Sequence, residues 1–437
     1  MPESSTTKLL EEAQSLQPTD PKRAEGIYHQ ILKQSSDANK KQTDEFNPEK
    51  EQNLRNQEVA LVKLGELYRD GRDAKGLAQV ILLSRSFMSS TAKAKTAKLI
   101  RTLLDFFNSI PNSKDTQMRV LQENIEWARS EKRIFLKHSL ETRLVALQLE
   151  TRQFRQALAL IDTLLTELKR LDDKMMLTEV HLLESRVYRG TANFPKSKAA
   201  LTSARTAANS IYCPPHLQAQ LDLQSGILHA EDKDYTTAYS YFFETFENLS
   251  SHEEGGEGGK ALIPLKYMLL CKIMLNLPED VTSLLSIKLA LKYAQLRDVE
   301  SMRAIARAHQ GRNLAEFEKA LRDYKDELSL DETIRSHLAA LYDTLLEQNL
   351  LRIVEPYSVV DVEYVAVQVG QGRQAVELKL SQMILDKVFH GVLDQGRGCL
   401  LVFDEPEGDG TYESAIQTIS EVGKVVDSLY AKATKIA

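Results

Sequence analysis

The sequence contains few residues whose types and spacing could support metal binding or acid–base catalysis. His181 and Glu184 lie three positions apart, so a helix would place both side chains on one face. His229 lies close to Glu231 and Asp232 in the same way. Neither group has a third ligand at the spacing of a zinc site, and the nine histidines form no HExxH motif. We therefore expect both groups to be structural.

Motifs for nucleophilic catalysis and nucleotide binding are also missing from the sequence. It contains no GxSxG motif and no phosphate-binding loop that ends in lysine. Gly396-Arg-Gly398 is typical of a turn, and the glycine-rich stretch at 250–259 carries three glutamates that would repel a phosphate. The sequence thus predicts a protein that is not an enzyme and binds no metal or cofactor.

The region from Thr333 to Phe403 interrupts an otherwise helical pattern and predicts a winged helix. The second predicted helix follows a capping box at Ser358–Asp361, and glycines before the last strand are typical of a β-hairpin. The predicted elements are a helix from Thr333 to about Asn349, a strand at Leu351–Val354, helices over Val362–Val369 and about Gln374–Lys387, and strands at Val392–Leu393 and Cys399–Phe403.

A winged helix can bind DNA through its third helix, but the charges of this one oppose that function. Between Ser329 and Asp404 there are six positive and eleven negative residues, a net charge of −5 that would repel phosphate. The third helix also carries Leu378 and Leu385 away from its main apolar stripe. These two leucines favour contact with protein, so a nucleic-acid binder is the weaker hypothesis.

The residues from about 134 onwards repeat with a period near 40. Three aromatic residues recur at intervals of 40 and 41 positions, and a small residue lies three positions after each of them. A series of aliphatic residues recurs with the same spacing. The three series are Phe154, Phe194 and Tyr235; Ala157, Ser197 and Ala238; and Leu147, Val187, Leu228 and Leu269. A unit of this size cannot bury its apolar face alone, so the repeat predicts stacked helix pairs in a solenoid similar to tetratricopeptide repeats.

Two further stretches could contact other proteins. Residues 74–104 carry six positive charges and no acid, including the basic face formed by Lys93, Lys95, Lys98 and Arg101. Solvated helix surfaces are the simpler interpretation of this face, and an acidic partner is the alternative. The C-terminal seam has the three-and-four spacing of a helical bundle and could be buried either by a partner or by its own domain. Its residues are Tyr412, Ala415, Ile419, Val422, Val426, Leu429 and Ala433.

Length and composition restrict the cellular location and the number of domains. A chain of 437 residues is too long for a single hydrophobic core, which predicts more than one domain or a repeat array. The formal net charge of −6 gives no general attraction to nucleic acid or anionic membranes. Cys213, Cys271 and Cys399 form no close pairs, which favours the reducing cytoplasm or nucleus. The start of the chain does not resemble a signal peptide, and no apolar run approaches the ~20 residues of a membrane span.

A family resemblance extends from about residue 130 to the end of the sequence. The segments that carry it include Arg133–His138, Leu201–Arg205, Ala208–Pro214, Leu341–Leu350 and Lys379–Lys387. These segments resemble the PCI-domain lid subunits of the proteasome regulatory particle, and among them the family of non-ATPase subunit six, numbered eleven in animals. This resemblance implies a mainly α fold with a solenoid at 1–328, a winged helix at 329–404 inside a PCI module at about 220–404, and an assembly helix at 405–437.

The resemblance also implies a non-catalytic scaffold with three kinds of partner. The winged-helix sheet would pair with other PCI lid subunits through strand edges at Val392, Leu393, Leu400 and Val402. The C-terminal seam would join the helical bundle of the lid. The solenoid, with its basic face, would brace the ATPase ring and the α subunits of the core particle. A scaffold of a signalosome or of a translation-initiation complex is the alternative.

Overall fold

The computed structural model describes residues 5–16, 20–39, 48–88, 93–111, 113–252, 260–329, 331–403 and 410–436. These residues are mostly helical, with one small sheet near the C-terminal end. The chain divides into two compact units, Met1–Leu228 and His229–Ala437. Within the described residues, no helix combines the length and the apolar character needed to cross a bilayer.

The first unit consists of helices that pack against their neighbours in sequence order. A short 3₁₀ helix at Phe107–Ser109 follows the fifth of them. The last helix continues past the boundary between the units. The helices are α1 Ser5–Leu16, α2 Pro21–Asn39, α3 Pro48–Asp70, α4 Ala74–Met88, α5 Lys93–Phe106, α6 Lys114–Ser130, α7 Ile134–Glu150, α8 Phe154–Leu171, α9 Lys174–Gly190, α10 Phe194–Asn209 and α11 Pro215–Glu231.

A recurring turn joins the two helices of a pair. Arg152, Ala192 and Lys233 all have positive φ, between 57° and 66°, at the sequence intervals of the repeat. The N–H of Gln153 donates to the carbonyl of Gln148 over 2.8 Å, and the equivalent residues of the other turns do the same. A hydrogen bond from an N–H to the carbonyl five residues earlier is the Schellman arrangement, which ends many helices. The predicted repeat of helix pairs is therefore confirmed.

Small residues allow close contact between paired helices. Ala157, Ser197 and Ala238 are fully buried, as their spacing predicts. The Ser197 hydroxyl donates to the Ser185 carbonyl over 2.7 Å, so the two helices approach closely there. A Cβ at Gly190 would lie 2.6 Å from the Phe154 ring, which leaves no room for a side chain.

Residues 34–53 contain a single strongly apolar side chain, Phe46, which predicts a loop. This prediction is wrong at both ends. Helix α2 continues to Asn39 and α3 begins at Pro48, so only 40–47 separates them, and these positions lie outside the described residues. The glycine-rich, acidic composition of residues 250–259 also predicts a loop. A helix includes residues up to His252, and 253–259 lie outside the described residues.

The second unit contains a helical part followed by a winged helix. The apolar run Leu265–Leu277 predicts a core helix. The helix that contains most of this run is buried at every position from Pro264 to Cys271. The elements are α12 Tyr235–His252, α13 Leu262–Met274, α14 Pro278–Leu285, α15 Arg297–Gln310, α16 Leu314–Asp323, α17 Lys325–Ser329, α18 Glu332–Val354, β1 Val359–Asp361, α19 Val362–Val369, α20 Arg373–Leu385, β2 His390–Asp394, β3 Cys399–Phe403 and α21 Gly410–Ile436.

The winged helix has its first strand later in the chain than predicted. The prediction of a strand at Leu351–Val354 is wrong, because α18 continues through this stretch and buries Leu350 and Val354 in the winged-helix core. Strand β1 lies instead in the predicted capping box. Asp361 ends β1, and its Oδ1 accepts the N–H of Glu363 over 3.1 Å to cap α19. The remaining predicted helices and strands are confirmed within a few residues.

Candidate assembly surfaces

The winged-helix sheet has the strand order β1-β3-β2, and both pairings are antiparallel. Strand β3 is therefore paired on both sides, and Leu400 on it is fully buried. The expectation that Leu400 and Val402 form a strand edge is wrong for this reason. Val392 and Leu393 lie on β2, which is an edge strand, and Val392 is 52% exposed. Edge strands present unpaired backbone groups that can pair with another chain.

Helix α20 has apolar residues on two faces. Val376, Leu380 and Met383 are buried in the winged-helix core. Leu378 and Leu385 are 73% and 79% exposed. Their position away from the main stripe is confirmed, and this outer face offers apolar contact where a DNA-reading helix would present polar groups.

Helix α21 exposes its apolar residues to solvent. Ile419 is 71% exposed and Leu429 is 60% exposed. Tyr412, Ala415, Val422 and Val426 are exposed as well, and Ala433 lies outside the described side chains. Three residues that the sequence analysis missed widen the apolar surface: Ile416, Val425 and Tyr430. The described part of the C-terminal seam is thus not covered by its own chain.

The structure describes two of the four side chains of the basic face on α5. Lys98 and Arg101 are exposed, whereas the side chains of Lys93 and Lys95 lie outside the described ones. Arg85, one of the six positive residues, is half-buried, and its Nε donates to the Asn124 Oδ1 over 3.2 Å. Internal contacts of this kind remove part of the predicted positive charge from the surface.

The histidine groups with possible chemistry make local contacts. His181 Nδ1 lies 2.8 Å from the Glu184 carboxylate one helical turn away. His229 Nδ1 lies 3.7 Å from the Asp234 carboxylate, next to the turn at Lys233. Both contacts join residues that are close in the chain, as expected for structural histidines.

One partly buried cluster of possible metal ligands was missed by the sequence analysis. Ligand atoms of His138, Glu141 and Glu167 all lie within 4.8 Å of one another. Lys137 Nζ, however, lies 2.9 and 2.7 Å from the two oxygens of the Glu167 carboxylate. The ammonium supplies the positive charge that a metal would bring, so the geometry favours an ion-pair cluster. The spacing of His138 and Glu141 was visible in the sequence, but Glu167 comes from another helix.

The two carboxyl groups of this cluster differ in pKa. Burial raises the pKa of Glu141, and Lys137 offsets only part of that effect. Hydrogen bonds from Lys137 and His138 lower the pKa of Glu167. Glu167 therefore carries the negative charge that pairs with Lys137.

Known proteins share most of this sequence. The chain is 55% identical over 373 residues to a probable 26S proteasome regulatory subunit rpn6 of Schizosaccharomyces pombe, covering 85% of this chain and 88% of the relative. It is 47% identical over 411 residues to the 26S proteasome regulatory subunit RPN6 of Saccharomyces cerevisiae, covering 94% of each. The chain belongs to the RPN6 family. A 26S proteasome non-ATPase regulatory subunit 11 homolog of Arabidopsis thaliana is 48% identical over 383 residues, with 88% and 90% coverage.

Family models divide this RPN6-family chain into three parts. Residues 6–151 match the 26S proteasome regulatory subunit RPN6 N-terminal domain, and residues 321–404 match the PCI domain. Residues 409–434 match the 26S proteasome subunit RPN6 C-terminal helix domain. The last match contains the C-terminal seam from Tyr412 to Ala433. A helix with its own family model and an uncovered apolar seam is consistent with a dedicated contact surface.

Proposed function

We propose that this chain is a non-catalytic scaffold subunit in the lid of the 26S proteasome regulatory particle and serves ubiquitin-dependent protein degradation. The observation that carries the proposal is the exposed C-terminal seam in a segment matched by the RPN6 C-terminal helix domain. An isolated helix with such a seam is marginal in water and gains stability when the seam is buried. The helical bundle of the lid is the partner that we propose for it.

The winged helix supplies a second contact. We propose that the β2 edge, with Val392 and Leu393, pairs with a neighbouring PCI lid subunit by strand addition. Leu400 and Val402 contribute indirectly, because they anchor the sheet to the winged-helix core and so hold β2 in position.

The solenoid supplies a third set of contacts, to the ATPase ring and to the α subunits of the core particle. Lys98 and Arg101 are exposed on α5, in the part matched by the RPN6 N-terminal domain. With Lys93 and Lys95 they would attract an acidic surface. Solvated helix faces remain the competing interpretation, and reversal of the three lysines to glutamate separates the two.

The other parts of the proposal follow from family membership. A scaffold needs no cofactor and no catalytic residue, and it would act in the cytoplasm and nucleus. The proposed limits are 1–328 for the solenoid, 329–404 for the winged helix and 405–437 for the assembly helix. The relatives named above are all 26S proteasome subunits, which favours this complex over a signalosome or a translation-initiation complex.

Native mass spectrometry of the tagged chain, purified from its own cells, tests the proposal. We expect ATPase subunits and core-particle subunits to co-purify in stoichiometric amounts. Recovery with PCI proteins alone, without ATPases, would contradict it and support another PCI complex. Recovery with nucleic acid in a salt-sensitive complex would instead support the winged helix as a DNA or RNA binder.

A further inference from the structure

Helix α9 departs from the apolar pattern of the repeat at two positions. Arg186 lies immediately before Val187, which belongs to the buried aliphatic series, and Arg189 lies two positions after it. Residues 40 positions earlier and 41 positions later are apolar: Ala146 and Ile227 for Arg186, and Leu149 and Ala230 for Arg189. Departures from an otherwise consistent pattern concentrate at functional sites. The packing of the repeat therefore does not explain why arginines occupy these two positions.

Arg186 and Arg189 are both half-buried. The Nη2 of Arg186 donates to Gln220 Oε1 over 3.5 Å, the outer limit of a hydrogen bond. Within the part of the chain that the structure describes, the buried Nη1 of Arg189 has no acceptor. Among the described residues, no carboxylate forms an ion pair with either arginine. Burial, and next the charge of Arg189, lowers the pKa of Arg186 to about 10.

Three other buried or half-buried cations of the same unit pair with an acidic side chain. Arg205 lies 3.0 Å from the Asp222 carboxylate, and Arg143 lies 2.9 Å from that of Asp105. Lys137 pairs with Glu167 over 2.7 Å. An uncompensated charge that has lost part of its water destabilises the fold. Two such charges, one helical turn apart, repel each other as well.

We propose that Arg186 and Arg189 form a binding site for an acidic side chain of a neighbouring protein. A carboxylate that contacts the exposed part of this half-buried pair would supply the missing negative charge. The planar guanidinium fork matches two carboxylate oxygens, and the Gln220 side chain lies at one end of the pair. The identity of the neighbour as a proteasome subunit rests on the proposed function.

Two variants of the full chain test this site. R186Q/R189Q removes both charges, and K169Q/R170Q removes two exposed positive charges from the adjacent helix α8 as a matched control. We expect the isolated R186Q/R189Q chain to melt at the same temperature as wild type or higher, because an uncompensated charge pair is gone. Co-expressed with differently tagged wild type, it should be depleted from purified 26S proteasomes by about tenfold, whereas the control should not be.

Other outcomes would overturn the site. A lower melting temperature for R186Q/R189Q would show that the arginines have a structural role. Normal melting with normal incorporation would show that nothing acidic binds them. A rise of the wild-type melting temperature with inorganic phosphate, lost in R186Q/R189Q while incorporation stays normal, would assign the site to a free anion.

Failure of the proposed function gives a different result. In that case wild type and the control would both be missing from 26S proteasomes. The depletion of R186Q/R189Q is then measured in whichever complex contains the wild-type chain, so that the site is still tested.

Discussion

Single residues inside the first unit show how the fold accommodates charge. Asp222 on α11 is buried, and its carboxylate accepts hydrogen bonds from Arg205 on α10 and from Gln218. Burial raises the pKa of Asp222, and Gln218 and Arg205 offset part of that rise. The ion pair thus compensates a charge that would otherwise be costly, which makes its removal informative.

The variant R205M should destabilise the chain by about 2 kcal/mol at pH 7.5, because Asp222 would keep a buried charge without its cation. Arg205 lowers the pKa of Asp222, so its loss raises that pKa further. The folded state then binds a proton more tightly than the unfolded state, and the loss of stability should shrink as the pH falls toward 5. Thermal unfolding at both pH values measures this. The exposed Arg155, changed to Met, is the control, and an equal loss at both pH values would contradict the prediction.

The buried thiol of Cys271 should be unreactive in the folded chain. Burial raises its pKa to about 12, so the thiol stays protonated at neutral pH. Alkylation with iodoacetamide at pH 8, followed by peptide mass spectrometry, should leave Cys271 unmodified until denaturant is added. Rapid modification of Cys271 without denaturant would show that α13 opens locally.

At the scale of elements, helix α21 presents its apolar residues on one side and polar residues on the other. Ile419 and Val426 belong to the C-terminal seam, whereas Gln417 and Ser428 lie on the opposite face, and all four are exposed. The helix is therefore suited to a comparison of two faces with identical changes in charge.

The variant I419E/V426E should leave the melting temperature of the isolated chain unchanged, since neither residue is buried in it. Its incorporation into the lid should fall at least tenfold, because two carboxylates would lose water in the bundle. Q417E/S428E adds the same charge and should incorporate normally. Co-purification with tagged lid subunits measures both, and equal incorporation of the two variants would contradict a role for the seam.

The edge strand β2 permits a similar comparison. V392K places a lysine on the proposed edge, and lysine on an edge strand opposes pairing with another chain. V359K makes the same change on β1, at the other side of the sheet, where Val359 is also exposed. We expect V392K alone to weaken cross-linking to a neighbouring PCI subunit. A larger effect of V359K would assign the contact to the β1 edge.

Local sequence patterns predicted some of these elements and not others. Periodicity gave the helix pairs, α19, α20 and the hairpin, because each of them is encoded by residues close in the chain. Strand β1 was misplaced, because the winged-helix core, built from distant residues, keeps Leu351–Val354 helical. Non-local contacts also explain the error in the predicted strand edge. The central position of β3 depends on the non-local pairing of Val359–Asp361 with Leu401–Cys399, so Leu400 and Val402 could not be recognised as interior.

At the scale of the whole molecule, the described surfaces suit an assembly function. The exposed seam, the β2 edge and the outer face of α20 are apolar. In the cluster of possible metal ligands, Lys137 compensates the charge of the Glu167 carboxylate. Large apolar surfaces on a folded chain usually mark contacts with other proteins. Distributed contacts of this kind predict that loss of the chain disrupts a complex rather than a single reaction.

Native gel electrophoresis of cell extracts, stained for hydrolysis of a fluorogenic peptide, tests the central claim most directly. After depletion of this chain, we expect the bands of core particle bearing regulatory particles to fade and free core particle to accumulate. Re-expression of wild type should restore the first bands, and I419E/V426E should not. Unchanged bands after complete depletion would contradict a scaffold role in the 26S proteasome.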